Sequence, residues 1–123
     1  MKLIATLFFA LTCNAAIAQS ACEIIAGCTI IADDGTLLGR LTNSYSADSI
    51  LNEYGTHGST YSSNSIWNEY GTYGGKYSNQ SPFNEYTSTP PMIIKQGRPI
   101  ARLTVNKSLR GALNPYVVKT CDF

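Results

Sequence analysis

Few residues in this chain are able to do chemistry, and most of them recur. The single histidine, His57, is of the residue type most often used as a general base. Three carboxylates, Glu53, Glu69 and Glu85, stand sixteen residues apart inside Asn-Glu-Tyr triplets. In pairs they would suit acid–base work, and if they converged they would suit calcium. Eight tyrosines and the one tryptophan, Trp67, offer flat amphipathic rings of the kind that stack on sugars.

Aligning the copies decides between these readings. At an offset of sixteen, Tyr45, Tyr61 and Tyr77 coincide, as do Ser49, Ser65 and Ser81, and Leu51, Trp67 and Phe83. His57 falls on Tyr73 and so reads as a filler of an aromatic packing slot, not as a base. Trp67 shares its place with Leu51, Phe83 and, further on, Leu113; a slot that accepts Leu or Phe is a buried apolar one. Glutamates at identical places in successive units project in parallel and read as a solvated row, with Asp48 and Asn52 beside Glu53 as the one place for a weak calcium site. The serines fall where turns need hydroxyls, and no Gly-x-Ser-x-Gly elbow is present. No catalytic set, metal site or cofactor is expected: Cys22 and Cys28, with distant Cys121 and one histidine, do not make a tetrahedral set. The candidate ligand surface is Tyr61, Tyr73 and Tyr77 with Glu69. Tyr45 joins that exposed set, whereas Tyr54, Tyr70, Tyr86 and Tyr116 are expected to pack. Asn52, Asn68, Asn84 and Asn114 are assigned to structure, satisfying turn backbone groups.

Two related β-hairpins position these units. Cys28 to Ala32 and Leu37 to Thr42 flank an Asp34-Gly35 turn, and Met92 to Ile94 and Ile100 to Val105 flank Gln96-Gly97. Sliding residues 30–54 onto 92–116 without a gap gives nine identities, among them Arg40-Leu41-Thr42 on Arg102-Leu103-Thr104. The fold class predicted is small and mainly β: two related hairpins, at 28–44 and 90–106, forming one four-stranded sheet. Sixteen-residue repeats (45–89) are inserted between them, and a C-terminal arm follows (107–123). Pro99 places its strand at an edge or at a strand start, and Glu23 to Ala26 reads as a further strand. Within each unit the stretch from Ser49 to Gly55 reads as one helical turn, capped by Asp48 or Ser49 and ended by a left-handed Gly55.

The motif Asp-Gly-x-x-Leu-Gly-x-Leu-x-Asn, at Asp34 to Asn43, is followed by tandem Ser-Ile-x-Asn-x-Tyr-Gly-x-Tyr-Gly units. Together they resemble a group of small bacterial secreted proteins, and domains found beside other secreted modules, over roughly Ile30 to Tyr116. The resemblance implies secretion and carries no activity with it. Where the group would have proline after the repeat asparagine, this chain has Glu53, Glu69 and Glu85, keeping proline only at Pro115.

Compartment and charge narrow the function further. Lys2, the apolar run from Leu3 to Leu11 and Ala16-Ile17-Ala18 read as a signal peptide over 1–18, leaving 19–123 as a single small domain. Nine basic residues less Lys2 leave eight against eight acidic, and residues 43–91 hold Lys76 as their one base, which argues against nucleic acid. No later apolar run approaches a transmembrane segment. The chain is thus expected to be secreted or periplasmic. Of the three remaining cysteines, Cys28 with Cys121 is the preferred disulfide, with Cys22 with Cys28 left open. Cys22 would then be spare, at the end of a partial lipobox (Gln19 to Cys22), with lipid anchoring there as the minor alternative. The function expected is a non-catalytic secreted interaction module holding an envelope glycan or a protein, its oligomeric state unspecified; the alternative is a structural, envelope-associated protein without a small-molecule ligand.

Overall fold

A computed structural model of the protein describes residues 21–123, so the signal-peptide reading lies outside the described residues. Five strands form one mixed sheet: β1 (Thr29–Ile31), β2 (Leu37–Arg40), β3 (Met92–Lys95), β4 (Arg98–Leu103) and β5 (Ala112–Leu113), in the order β2-β1-β3-β4-β5. The two hairpins meet through antiparallel β1 and β3, with Ile30 opposite Ile93. β-Branched side chains favour these strands, and their turns have the backbone such turns demand. Gln96 and Gly97 both take positive φ, 52° and 80°, as a two-residue hairpin turn requires. Pro99 faces Ile94 of β3 on one side, and β5 reaches only Arg102 and Leu103, so the proline needs no second partner.

The two halves share a return of the chain that the fourfold sheet reading lacked. Beyond β2, Arg40 N–H donates to Asp48 O at 2.8 Å and Ile50 N–H to Arg40 O at 3.1 Å. Beyond β4, Arg102 N–H donates to Gly111 O at 2.8 Å and Thr104 N–H to Leu113 O at 2.9 Å. In the second half these bonds constitute β5, parallel to β4; in the first they make an isolated parallel bridge between Arg40 and Ser49.

Between the hairpins the backbone advances by turns three residues apart. N–H groups of Ser49, Asn52 and Gly55 donate to the carbonyls of Ser46, Ser49 and Asn52, at 3.2, 3.3 and 3.0 Å. The same bonds recur at Ser65, Asn68 and Gly71, and at Ser81, Asn84 and Thr87. Five three-residue steps plus one extra residue make sixteen; the extra residue falls at Gly58-Ser59 and Gly74-Gly75, where the Gly55 and Gly71 carbonyls each accept two N–H groups. Ser49 Oγ accepts from Leu51 N–H at 3.0 Å, as expected of a cap, but Gly55 is not among the glycines with positive φ. The next turn begins on Gly55 itself, so no left-handed stop is needed.

Each sixteen-residue segment, hereafter a coil, lies on its predecessor. Trp67 Nε1–H donates to Ile50 O at 2.6 Å, and the Trp67 and Phe83 rings are 5.6 Å apart. Ile50 and Ile66 point inward and are fully buried with Ile30, Leu38, Leu41, Ile93, Leu103 and Val118, so the sheet and the coils share one core.

Three expectations fail at the termini. Residues 21–25 are helical, not a strand, which turns Ile25 into the core and leaves Glu23 and Ile24 exposed. The disulfide joins Cys22 to Cys121, with Cα atoms 5.5 Å apart, not Cys28 to Cys121. Cys28 is the buried free thiol, sitting in the core at the start of β1 with its Sγ 3.7 Å from Ile24 O. The helical segment is what brings Cys22, and not Cys28, to the C-terminal arm. A Cys22 sulfur bonded to Cys121 is also unavailable for a lipid thioether.

Candidate functional site

The turn ladder dictates which side chains leave the surface. At the Ser and Asn steps the side chain accepts the N–H two residues on and closes the turn; the pair after Ser49, Ser65 or Ser81 turns toward the core, and the pair after Asn52, Asn68 or Asn84 forms an exposed tip. Asn52 Oδ1 accepts from Tyr54 N–H at 3.0 Å while its Nδ2 donates to Ser46 O at 3.1 Å. Asn68 and Asn84 repeat both bonds, and Asn114 Oδ1 accepts from Tyr116 N–H at 2.9 Å ahead of the short helix Pro115–Val118. With both ends of each amide engaged, the tip residues Glu-Tyr are held outward.

The tyrosines consequently stand free. Tyr45, Tyr61 and Tyr77 on one set of tips, and Tyr54, Tyr70 and Tyr86 on another, are each at least 89 % exposed. The expectation that Tyr54, Tyr70 and Tyr86 pack is therefore wrong, and Tyr116 is also exposed although its ring lies 5.2 Å from that of Phe83. The tip geometry overrides the apolar residues that precede them: Leu51, Trp67 and Phe83 turn toward the core one step earlier.

Tyr73 is the exception among the eight. Its hydroxyl donates to Asp34 Oδ2 at 2.7 Å, with Thr36 Oγ1 at 3.0 Å, tying the second coil to the β1–β2 turn. Hydrogen bonding by Tyr73 first, and then by the Thr36 backbone, pulls the Asp34 carboxyl down to about 2. His57, at the corresponding place, is half-buried, with Nδ1 3.5 Å from Asn64 O and its Cβ against Gly39. It fills a slot, as its alignment with Tyr73 predicts.

A groove of about 1130 Å³ lies between the first coil and the C-terminal arm. Tyr45, Tyr54 and Tyr61 form its rim, Leu51 and Trp67 its floor, and the arm from Lys119 to Phe123 one wall. Lys119 Nζ sits 4.1 Å from the centroid of the Trp67 ring, a cation over an indole face. Compared with family models, curated proteins and solved structures, the chain matches none. Any account of the site therefore rests on its own geometry.

Of the four residues singled out from sequence, Tyr61 lines the groove, Tyr77 continues its row, and Glu69 is exposed beside Tyr70 on one tip. Tyr73 is not with them, being engaged at the hairpin. Tyr54 and Lys119 belong to the site and were not singled out for it, whereas Tyr45 was placed in the exposed set and Glu53 in the solvated row. Among the described residues no three His, Cys, Asp or Glu side chains converge. Asp48, named for a weak calcium site, is instead paired with Arg40 at 3.3 Å. Burial pushes the Cys28 thiol pKa up, against a smaller opposing pull from Lys95.

Proposed function

We propose that this chain is a secreted or periplasmic, non-catalytic binding module that takes its ligand across the tyrosine-rimmed groove. One observation carries the reading. Six tyrosines are held almost fully in solvent by turn geometry, and three of them, Tyr45, Tyr54 and Tyr61, border a groove lined also by Trp67. Exposed aromatic groups gathered at one surface are the usual mark of an interaction site. Tyrosine suits this because its two-torsion side chain loses little entropy when a partner covers it. The compartment is supported by the disulfide, which fits an oxidising environment, and by the described residues containing no helix long and apolar enough to cross a membrane. The non-catalytic reading is supported by the position of His57, whose Nδ1 faces the Asn64 carbonyl of the next coil.

The test is retention on insoluble cell-wall polysaccharide. The expected result is specific retention by the wild-type chain that is lost in Tyr61→Ala and halved or worse in Tyr77→Ala. Indifference of retention to both changes would favour an envelope-associated structural role instead.

A further inference from the structure

The two halves of the chain treat the same arginine differently. Arg40 and Arg102 are equivalent in the repeat, and each donates its backbone N–H at 2.8 Å to the chain returning beside it, to Asp48 O and to Gly111 O respectively. In the first half the returning residue carries a carboxylate, and Asp48 Oδ2 stands 3.3 Å from the Arg40 guanidinium. In the second half the returning residue is Gly111, which has no side chain, and the residue before it is Arg110. Among the described residues Arg40 with Asp48 is the one ion pair, so neither Arg102 nor Arg110 has a carboxylate. Ile93 and Leu103 face the core, and strand alternation therefore puts Met92 and Arg102, which lie opposite each other, on the outer face of the sheet. Arg98, Ile100 and Arg110 are exposed nearby on the same strand and its return.

The complement to this patch is on the same chain. From Tyr86 to Cys121 there are six bases and no acid, whereas residues 43–91 carry four acids against Lys76, so charge is segregated along a chain that is balanced as a whole. Glu69-Tyr70 and Glu85-Tyr86 are exposed tips held outward by Asn68 and Asn84, and among the described residues neither glutamate is in an ion pair. A carboxylate with a tyrosine ring beside it meets both demands of a guanidinium: two oxygens for its N–H fork and an aromatic face to stack on. We infer that a second copy of this chain supplies the missing carboxylates. The Glu69 and Glu85 tips of one molecule dock on the Arg102 and Arg110 patch of the next, doing for these arginines what Asp48 does for Arg40. An anionic polymer would satisfy the arginines and leave the acidic tips unmatched; a second copy matches both, and that complementarity selects it. The two patches differ, so the contact is head-to-tail and either closes into a ring or runs on as a filament. Neither tip lines the groove, so this assembly does not rest on the groove being a binding face.

Sedimentation velocity of the full chain over a concentration series, at low and at high salt, tests this. The wild type should associate at low salt, and the association should weaken roughly tenfold or more at high salt, as contacts between exposed charges do. Arg102→Glu combined with Arg110→Glu should sediment as a monomer, and so should Glu69→Lys combined with Glu85→Lys. Mixed in equal amounts, the two variants should associate again, because each then offers the other opposite charge at both patches. Unchanged thermal unfolding verifies that the variants fold, and Arg110→Glu alone, at an exposed position, serves in place of the pair if Arg102→Glu does not. A wild type that stays monomeric at every concentration overturns the inference. So does association that either variant keeps, or association lost in both and not restored on mixing. A monomeric wild type that binds dextran sulfate, with binding lost in Arg110→Glu, replaces the second copy with an external polyanion.

Discussion

At the scale of single residues, the contrast between Tyr73 and the other tyrosines shows how one hydroxyl partner decides a role. Tyr73 has an acceptor, Asp34, waiting on the neighbouring hairpin turn; its sixteen-residue counterparts do not, and histidine stands there in the preceding coil. The Asp34 carboxylate owes its low pKa of about 2 first to that bond. A carboxyl whose folded pKa lies below its unfolded value near 3.9 adds stability above the latter and loses it as pH falls toward 2. Tyr73→Phe should therefore raise the Asp34 pKa toward the ordinary carboxylate value and move the acid-side loss of the clamp to higher pH. Carboxyl-carbon NMR titration reads this directly; an Asp34 value unmoved by the substitution would assign the depression to the Thr36 bonds instead. From sequence alone the slot shared by His57 and Tyr73 was legible, because alignment of the copies shows it. The fate of Tyr54, Tyr70 and Tyr86 was not. A tyrosine after an apolar pair ordinarily packs, and only the turn bonds reveal that the chain has already rounded a tip.

At the scale of the element, the three-residue step explains most of what the sixteen-residue period left unread. Asn43, Ser46, Ser49, Asn52 and Gly55 fall at every third position, each small or able to close a turn with its side chain. That inner rhythm was present in the sequence but hidden beneath the longer one, so a helical turn was expected where linked single turns occur. Glycine at the extra residue has a steric cause: a Cβ on Gly74 would overlap the carbonyls of Asn68 and Ile66, whereas on Gly71 the nearest atom is the Asn68 side-chain Nδ2 at 3.3 Å. Gly74→Ala should consequently lower stability by about 1–3 kcal/mol or more, as forced overpacking does. Gly71→Ala should cost less, since its nearest neighbours stand at 3.3–3.5 Å and need give only slightly. Urea unfolding of the two variants side by side checks the difference. The hairpins were legible for the opposite reason: their β-branched runs and Gly-containing turns are strong local signals, while β5, two residues long, depends wholly on β4.

At the scale of the whole molecule, the sheet, the coils and both termini share one core, and the Cys22–Cys121 bond closes it. The pairing was not legible from spacing, because a long loop through Cys28 and one through Cys22 are equally favourable on entropy; the helical segment at 21–25 and the burial of Cys28 select the partner. Cys121→Ser should cost about 2–5 kcal/mol in denaturant unfolding, the range for native disulfides closing long loops. Cys28 should react with a thiol reagent only after unfolding, as peptide mapping would show; a reactive Cys22 in the native protein would contradict the pairing. The bond spans 99 positions of chain, leaving little of the described protein outside the ring it closes. A protease that cuts any one exposed turn in that span therefore releases nothing. The two pieces stay covalently joined and packed on one core, so a nicked molecule holds together until a second cut or a reductant arrives.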